Sequence, residues 1–130
     1  MKLRNQLLTG LILTITLGAQ FGVVGQGRLA KKDPAFNAFW IKFKAAVARN
    51  DKAKVADMTK LPFMIGGEDH ARAGFLKQYP LLFDRRTRRC FAREKPTTEG
   101  DYYEIFCDET IFLFGKVDGV WKFVEIGVND

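Results

Sequence analysis

The sequence predicts an α+β domain, with N-terminal helices packed on a curved antiparallel sheet formed by the second half of the chain. Three observations carry this. Apolar residues recur at helical spacing from Phe36 to Val47, the pattern turns β-prone beyond Arg88, and Asp118-Gly119 stands between two β-prone runs as a two-residue hairpin signal.

Ahead of the first helix, Lys2 and Arg4 precede an uncharged stretch from Leu7 to Ala19, and small residues follow at Gly22, Gly25 and Gly27. A positive start, a short apolar segment and a small-residue exit have the layout of a secretory signal peptide, so residues 1–27 are read as a leader and 28–130 as one exported domain, periplasmic or secreted. As a membrane span the stretch is poor, because Gly18, Gln20 and Gly22 interrupt it. Removing the leader leaves 103 residues with 19 of the 21 Lys and Arg and all 15 acids, which lowers the formal charge from +6 to +4. One compact core is the expectation at that size. The charge favours contact with anionic surfaces but lacks the long basic runs of a dedicated nucleic-acid binder, and no nucleic-acid partner is expected. Cys90 and Cys107 are the only cysteines. In an oxidising compartment they are expected to pair, since their spacing with the single His70 does not match a zinc-ligand set and no motif orients a catalytic Cys–His pair. No metal and no cofactor is expected.

Asp33-Pro34 opens the first helix, Asp as N-cap and Pro at the position whose missing N–H has no partner anyway. Phe36, Phe39, Trp40, Phe43 and Val47 form its apolar stripe. Asn50 ends that helix and Asp51 caps a second over 52–59, with Val55 and Met58 inward. Leu61 to Ile65 is too short and apolar for a further helix and reads as a strand, turned by Gly66-Gly67, with Glu68, Asp69 and His70 in a loop. A third helix spans 71–79 until Pro80 stops or kinks it.

Beyond it, 88–93 alternates around Cys90 as a strand would, 96–100 is a connection, and 102–117 is a long β-prone run in which Asp108 and Glu109 read as solvated or as a bulge. The Asp118-Gly119 turn pairs Val117 with Val120, and counting outward Leu113 with Val124 and Ile111 with Ile126. Ile111, Leu113, Val117, Val120, Val124 and Ile126 then share one face, and Phe112, Phe114, Trp121 and Phe123 share the other with Glu125. Helices cover only one side of such a sheet, so the second apolar face needs a cavity, another layer or another chain.

This order of elements resembles the cystatin-like, nuclear-transport-factor-2-like (NTF2-like) superfamily. The likeness rests on Phe39-Trp40 with Phe43, Leu61-Pro62-Phe63, Phe75-Leu76 with Tyr79, and Asp118-Gly119-Val120-Trp121-Lys122-Phe123. It implies a cone-like domain whose sheet and helices enclose a pocket, used by some members for isomerase or dehydratase chemistry and by many for binding or assembly.

The pocket candidates are accordingly Phe112, Phe114, Trp121, Phe123 and Glu125. Glu125, opposite Phe112, is a general acid or base if the pocket desolvates it, and a solvated or lysine-paired rim carboxylate if the sheet curls; the rim is the expectation. Arg85, Arg86, Arg88 and Arg89 form the densest charge cluster, able to grip carboxylate, phosphate or sulfate, though a solvated loop is the plainer reading. His70 on a turn is read as exposed. No nucleophile and base, metal set or phosphate loop can be assembled from these residues, so an exported binding or interaction domain is expected, with a small apolar ligand, a protein partner or a second copy through the sheet as its partner. The alternatives are a small-pocket isomerase or dehydratase, needing Glu125, Tyr103 or His70 to converge, and a binder of anionic surfaces through Arg85 to Arg89.

Overall fold

The computed structural model describes residues 33–128; the leader expected over 1–27 lies outside them. Helix α1 runs Pro34–Ala48 and α2 Lys52–Asp57, followed by the strands β1 (Phe63–Ile65) and β2 (Glu68–His70). Helices α3 (Arg72–Leu82) and α4 (Arg85–Arg93) lead into β3 (Thr97–Glu99), β4 (Tyr102–Cys107), β5 (Thr110–Val117) and β6 (Val120–Val128). The architecture is α+β, with a four-stranded antiparallel sheet in the order β3-β4-β5-β6 and a separate β1-β2 hairpin.

The caps act as their chemistry dictates. The Asp33 carboxylate accepts from the backbone N–H groups of Ala35 and Phe36 at 2.9 and 3.2 Å, satisfying donors that have no partner within the first turn of α1. At the other end Asn50 adopts a left-handed φ of 55°, its N–H reaching Val47 O and the Asp51 N–H reaching Ala46 O. That is a Schellman closure, and it frees Asp51 to cap α2 through the Lys54 N–H at 3.1 Å. Helix α2 ends at Asp57, shorter than expected, because 58–60 leave it to pair with β6: Phe123 N–H donates to Met58 O and Lys60 N–H to Phe123 O.

Three expectations are corrected between residues 68 and 93. Glu68 to His70 are a strand paired with Phe63 to Ile65, made possible by Gly66 and Gly67 at φ of 60° and 82°, which turn the chain tightly enough for a hairpin. Pro80 does not stop α3, which continues to Leu82; so near the helix end the missing N–H removes a single bond. Residues 85–93 form a helix rather than a strand alternating around Cys90. Asp84 caps it by accepting from Thr87 N–H at 2.8 Å, Arg and Ala are good helix formers, and the neighbouring Cys90 and Phe91 are both buried. Adjacent residues on a strand face opposite sides, so a helix beside the core is what lets both go inward.

The long β-prone run is divided at Asp108-Glu109, which are exposed as expected, but Asp108 takes a left-handed φ of 56° and makes a turn in place of a bulge. The bulge lies elsewhere. Val117 pairs with Val120 and Phe114 with Phe123 as the hairpin requires, but an irregularity between Leu113 and Phe114 then shifts the register by one. Leu113 opposes Glu125, Phe112 opposes Ile126 and Ile111 opposes Gly127, in place of the expected pairs of Leu113 with Val124 and Ile111 with Ile126. A two-against-one pairing flips side-chain parity, so Ile126 turns toward the core and Glu125 leaves the aromatic face.

All the helices contribute to one core with that face. Phe43, fully buried, meets Phe83, Phe91, Phe114 and Phe123 at ring-centroid distances of 5.1–6.2 Å. Phe63 of β1 packs on Phe123 at 4.7 Å and on Phe75 at 5.5 Å. The Cys90–Cys107 disulfide ties α4 to the end of β4, as expected. Such bonds persist in chains that fold in oxidising surroundings. Among the described residues no helix is long and apolar enough to cross a membrane.

Candidate ligand-binding cleft

The interior leaves little room for a pocket. Phe112, Phe114 and Phe123 are 0–1 % exposed and packed ring against ring, so three of the expected pocket residues serve the core. Trp121, the fourth, stands at the edge of that core. Its indole borders an open cleft of about 740 Å³ between the start of α1, the β3-β4 turn and the neighbouring ends of β5 and β6. Asp33, Thr98, Asp101, Tyr102, Tyr103 and Lys116 line it with Trp121.

Each wall has a local cause. Tyr103 faces inward on β4 and stacks on Phe36 of α1, while Phe36 and Tyr103 both meet the Trp121 ring nearly at right angles, at 5.1 and 5.4 Å. Those contacts fix the indole. Lys116, directly across the hairpin from Trp121, lies with its ammonium 5.3 Å from the indole centroid and 3.9 Å from Asp33 Oδ2. Hydrogen bonding from the Phe36 N–H, opposed by some desolvation and aided by the Ala35 N–H, Lys116 and Trp121, holds the Asp33 carboxyl below the ordinary 3.8. Trp121 is the weakest of these influences: its buried Nε1–H is near enough to the Asp33 carboxylate to lower its pKa, yet among the described residues it completes no well-aligned hydrogen bond. An indole donor so weakly engaged at the wall of a cleft is a point of recognition for an oxygen or nitrogen acceptor.

The other candidate residues are dispersed. Glu125 is exposed on the opposite side of the sheet, across from Leu113 and not from Phe112. His70 pairs with Phe63 in the small hairpin and lies against Gly74, where a Cβ would come within 2.9 Å of its Nδ1. Of the trio Glu125, Tyr103 and His70, only Tyr103 lines the cleft. The four arginines are sorted by the turn of α4: Arg86 pairs with Asp108 at 2.9 Å, Arg89 is exposed, and Arg85 and Arg88 border a second, smaller cleft against α2 and α3.

The covered and uncovered faces of the sheet are also assigned. Helices cover the aromatic face; the open one carries Tyr102, Glu104 and Phe106 of β4 beside Ile111 and Leu113 of β5. Tyr102 lies over Gly115, where a Cβ would meet its ring at 2.8 Å, so only glycine admits that aromatic across the strands. Burial, and then the neighbouring Glu99, push the Glu104 carboxyl above its ordinary 4.5. Sequence reasoning singled out Trp121 through the hairpin parity, whereas Asp33 and Lys116 were legible only as a cap and a polar strand residue. Comparison of the chain with protein-family models and with curated proteins gives no match.

Proposed function

We propose that this chain is an exported, non-enzymatic binding domain of cystatin-like, NTF2-like architecture that takes a small amphipathic ligand in the cleft beside Trp121. The observation that carries the reading is the buried Trp121 Nε1–H, which completes no well-aligned hydrogen bond among the described residues, at a wall it shares with Asp33, Tyr102, Tyr103 and Lys116. Rings supply apolar contact, the indole N–H and the lysine supply fixed polar contacts, and few such groups suffice to orient a ligand. The two carboxylates at the cleft argue for binding rather than turnover. Asp33 is engaged as a helix cap with a lowered pKa, which makes it a weak base, and Asp101 sits on an exposed turn.

Fluorescence tests this in a Trp40→Phe background, where Trp121 is the sole tryptophan. A small aromatic ligand bearing a carbonyl acceptor is expected to quench it saturably, and Lys116→Ala to weaken binding several-fold while leaving the fold intact. A screen of such ligands that stays silent, together with a purified domain that dimerises through Tyr102, Phe106 and Leu113, would replace the ligand by a second copy of the chain. Export is tested separately: intact mass of protein from its host is expected to show the first 27 residues removed.

A further inference from the structure

The second cleft, about 320 Å³, lies between the start of α2, the C-terminal part of α3 and the first turns of α4. Its lining holds Lys52, Arg85 and Arg88 against one carboxylate, Asp84, with Asn50 and Tyr79 completing the polar groups. Two buried donors border this cleft with no acceptor among the described residues: the Tyr79 hydroxyl, on a side chain only 1 % exposed, and Arg88 Nε. Desolvation keeps the Tyr79 phenol protonated by raising its pKa, while nearby Arg88 pulls the other way and Asp51 adds slightly to the rise.

The two local acids, Asp84 in the lining and Asp51 near Tyr79, are engaged as helix caps. Asp84 accepts from Thr87 N–H and Asp51 from Lys54 N–H, and among the described residues no carboxylate pairs with Lys52, Arg85 or Arg88. Burying a hydroxyl and a guanidinium nitrogen without partners is costly, so a site with two such donors and surplus positive charge is complementary to something that only accepts.

We propose that this cleft binds a phosphate group, held by Arg88, Arg85 and Lys52 and by the Tyr79 hydroxyl. A tetrahedral dianion fits better than a carboxylate, because three cations and a phenolic O–H line one cleft from three helices and a planar carboxylate would satisfy only a fork from one. The site is separate from the Trp121 cleft, and neither depends on the other.

Titration of the folded protein with inorganic phosphate at constant ionic strength, followed by backbone amide shifts, tests the assignment. Saturable shifts at Lys52 and at Asp84 to Arg88 are expected, with affinity reduced about 3-fold to 10-fold in Tyr79→Phe and more than 10-fold in Arg88→Ala, and unchanged in Arg89→Ala. Tyr79→Phe keeps the buried ring, so it remains informative should Arg88→Ala fail to fold. Vesicles containing phosphatidic acid separate the sources of the group. Vesicle binding that phosphate displaces and Arg88→Ala abolishes identifies a lipid headgroup, while phosphate binding without vesicle binding identifies a soluble phosphate. The proposal is overturned if phosphate shifts nothing beyond what chloride does, if Arg89→Ala weakens binding as much as Arg88→Ala, or if vesicles bind regardless of both phosphate and Arg88.

Discussion

Phe36 and Tyr103 stack face to face, their ring centroids 3.6 Å apart and their planes 2° from parallel. The pair joins the first turn of α1 to β4, and its far side supports Trp121. Helix and sheet therefore share one aromatic joint, and the candidate cleft is built on its outer end. Stacking and burial stiffen that joint.

Phe43 lies deeper on the same helix and is in ring contact with four other phenylalanines of the core. Phe43→Ala is expected to cost about 3 to 5 kcal/mol, as large-to-small changes do in tightly packed interiors. Urea unfolding measures it, and a midpoint that scarcely moves would mean that α1 is peripheral.

The first helix was legible because one stripe and one cap agreed, and the last hairpin because Asp-Gly selects its turn. The middle was not. Period-two alternation around Cys90 mimicked a strand, and what decided for a helix was tertiary: Phe91 and Cys90 both needed the core, and Asp84 supplied a cap. The bulge beside Phe114 was equally hidden, since no residue type there announces it. That single slip is why Glu125, expected opposite Phe112, opposes Leu113 instead and lies away from the cleft at Trp121.

Loss of the disulfide should weaken the domain. Cys90 and Cys107 close a loop of 17 positions, for which constraint of the unfolded chain contributes about 3 kcal/mol. The double change to Ala is expected to lower the urea midpoint accordingly, and the wild-type protein should show no alkylatable thiol until reduced.

Acid should weaken it too. Hydrogen bonding from Thr87 holds the Asp84 carboxyl below the ordinary 3.8, and Asp33 is lowered in the same way by Phe36. A folded-state pKa below the unfolded value means that the unfolded chain takes up the proton first, so this stabilisation is complete above the unfolded value of about 3.8 and is lost as pH falls through the folded one. Asp84→Ala should cost about 1 kcal/mol at neutral pH, whereas Asp84→Asn should retain most of the cap and flatten this part of the acid profile. Thermal melts between pH 2 and pH 7 distinguish the three proteins.

Parity beyond the bulge predicts a reversal of tolerance. Glu125→Lys should change stability by no more than about 0.5 kcal/mol, as exposed substitutions do, while Ile126→Glu should cost on the order of 1 to 3 kcal/mol by placing a carboxylate toward Phe112. Equal effects at the two positions would mean that the unshifted register is the true one.

The segment at 58–60 that bonds along β6 has a consequence for polymerisation. A sheet grows by strand addition only where a long edge offers unpaired backbone groups, and here one edge is interrupted at Phe123 while the other, β3, is three residues long and fully exposed. Among the described residues, templated strand addition therefore meets an interruption at Phe123 on one edge and only a short rung at β3 on the other. Strand-by-strand growth is thereby disfavoured, and the exposed rings of Tyr102 and Phe106 offer a second copy of the chain a face rather than an edge.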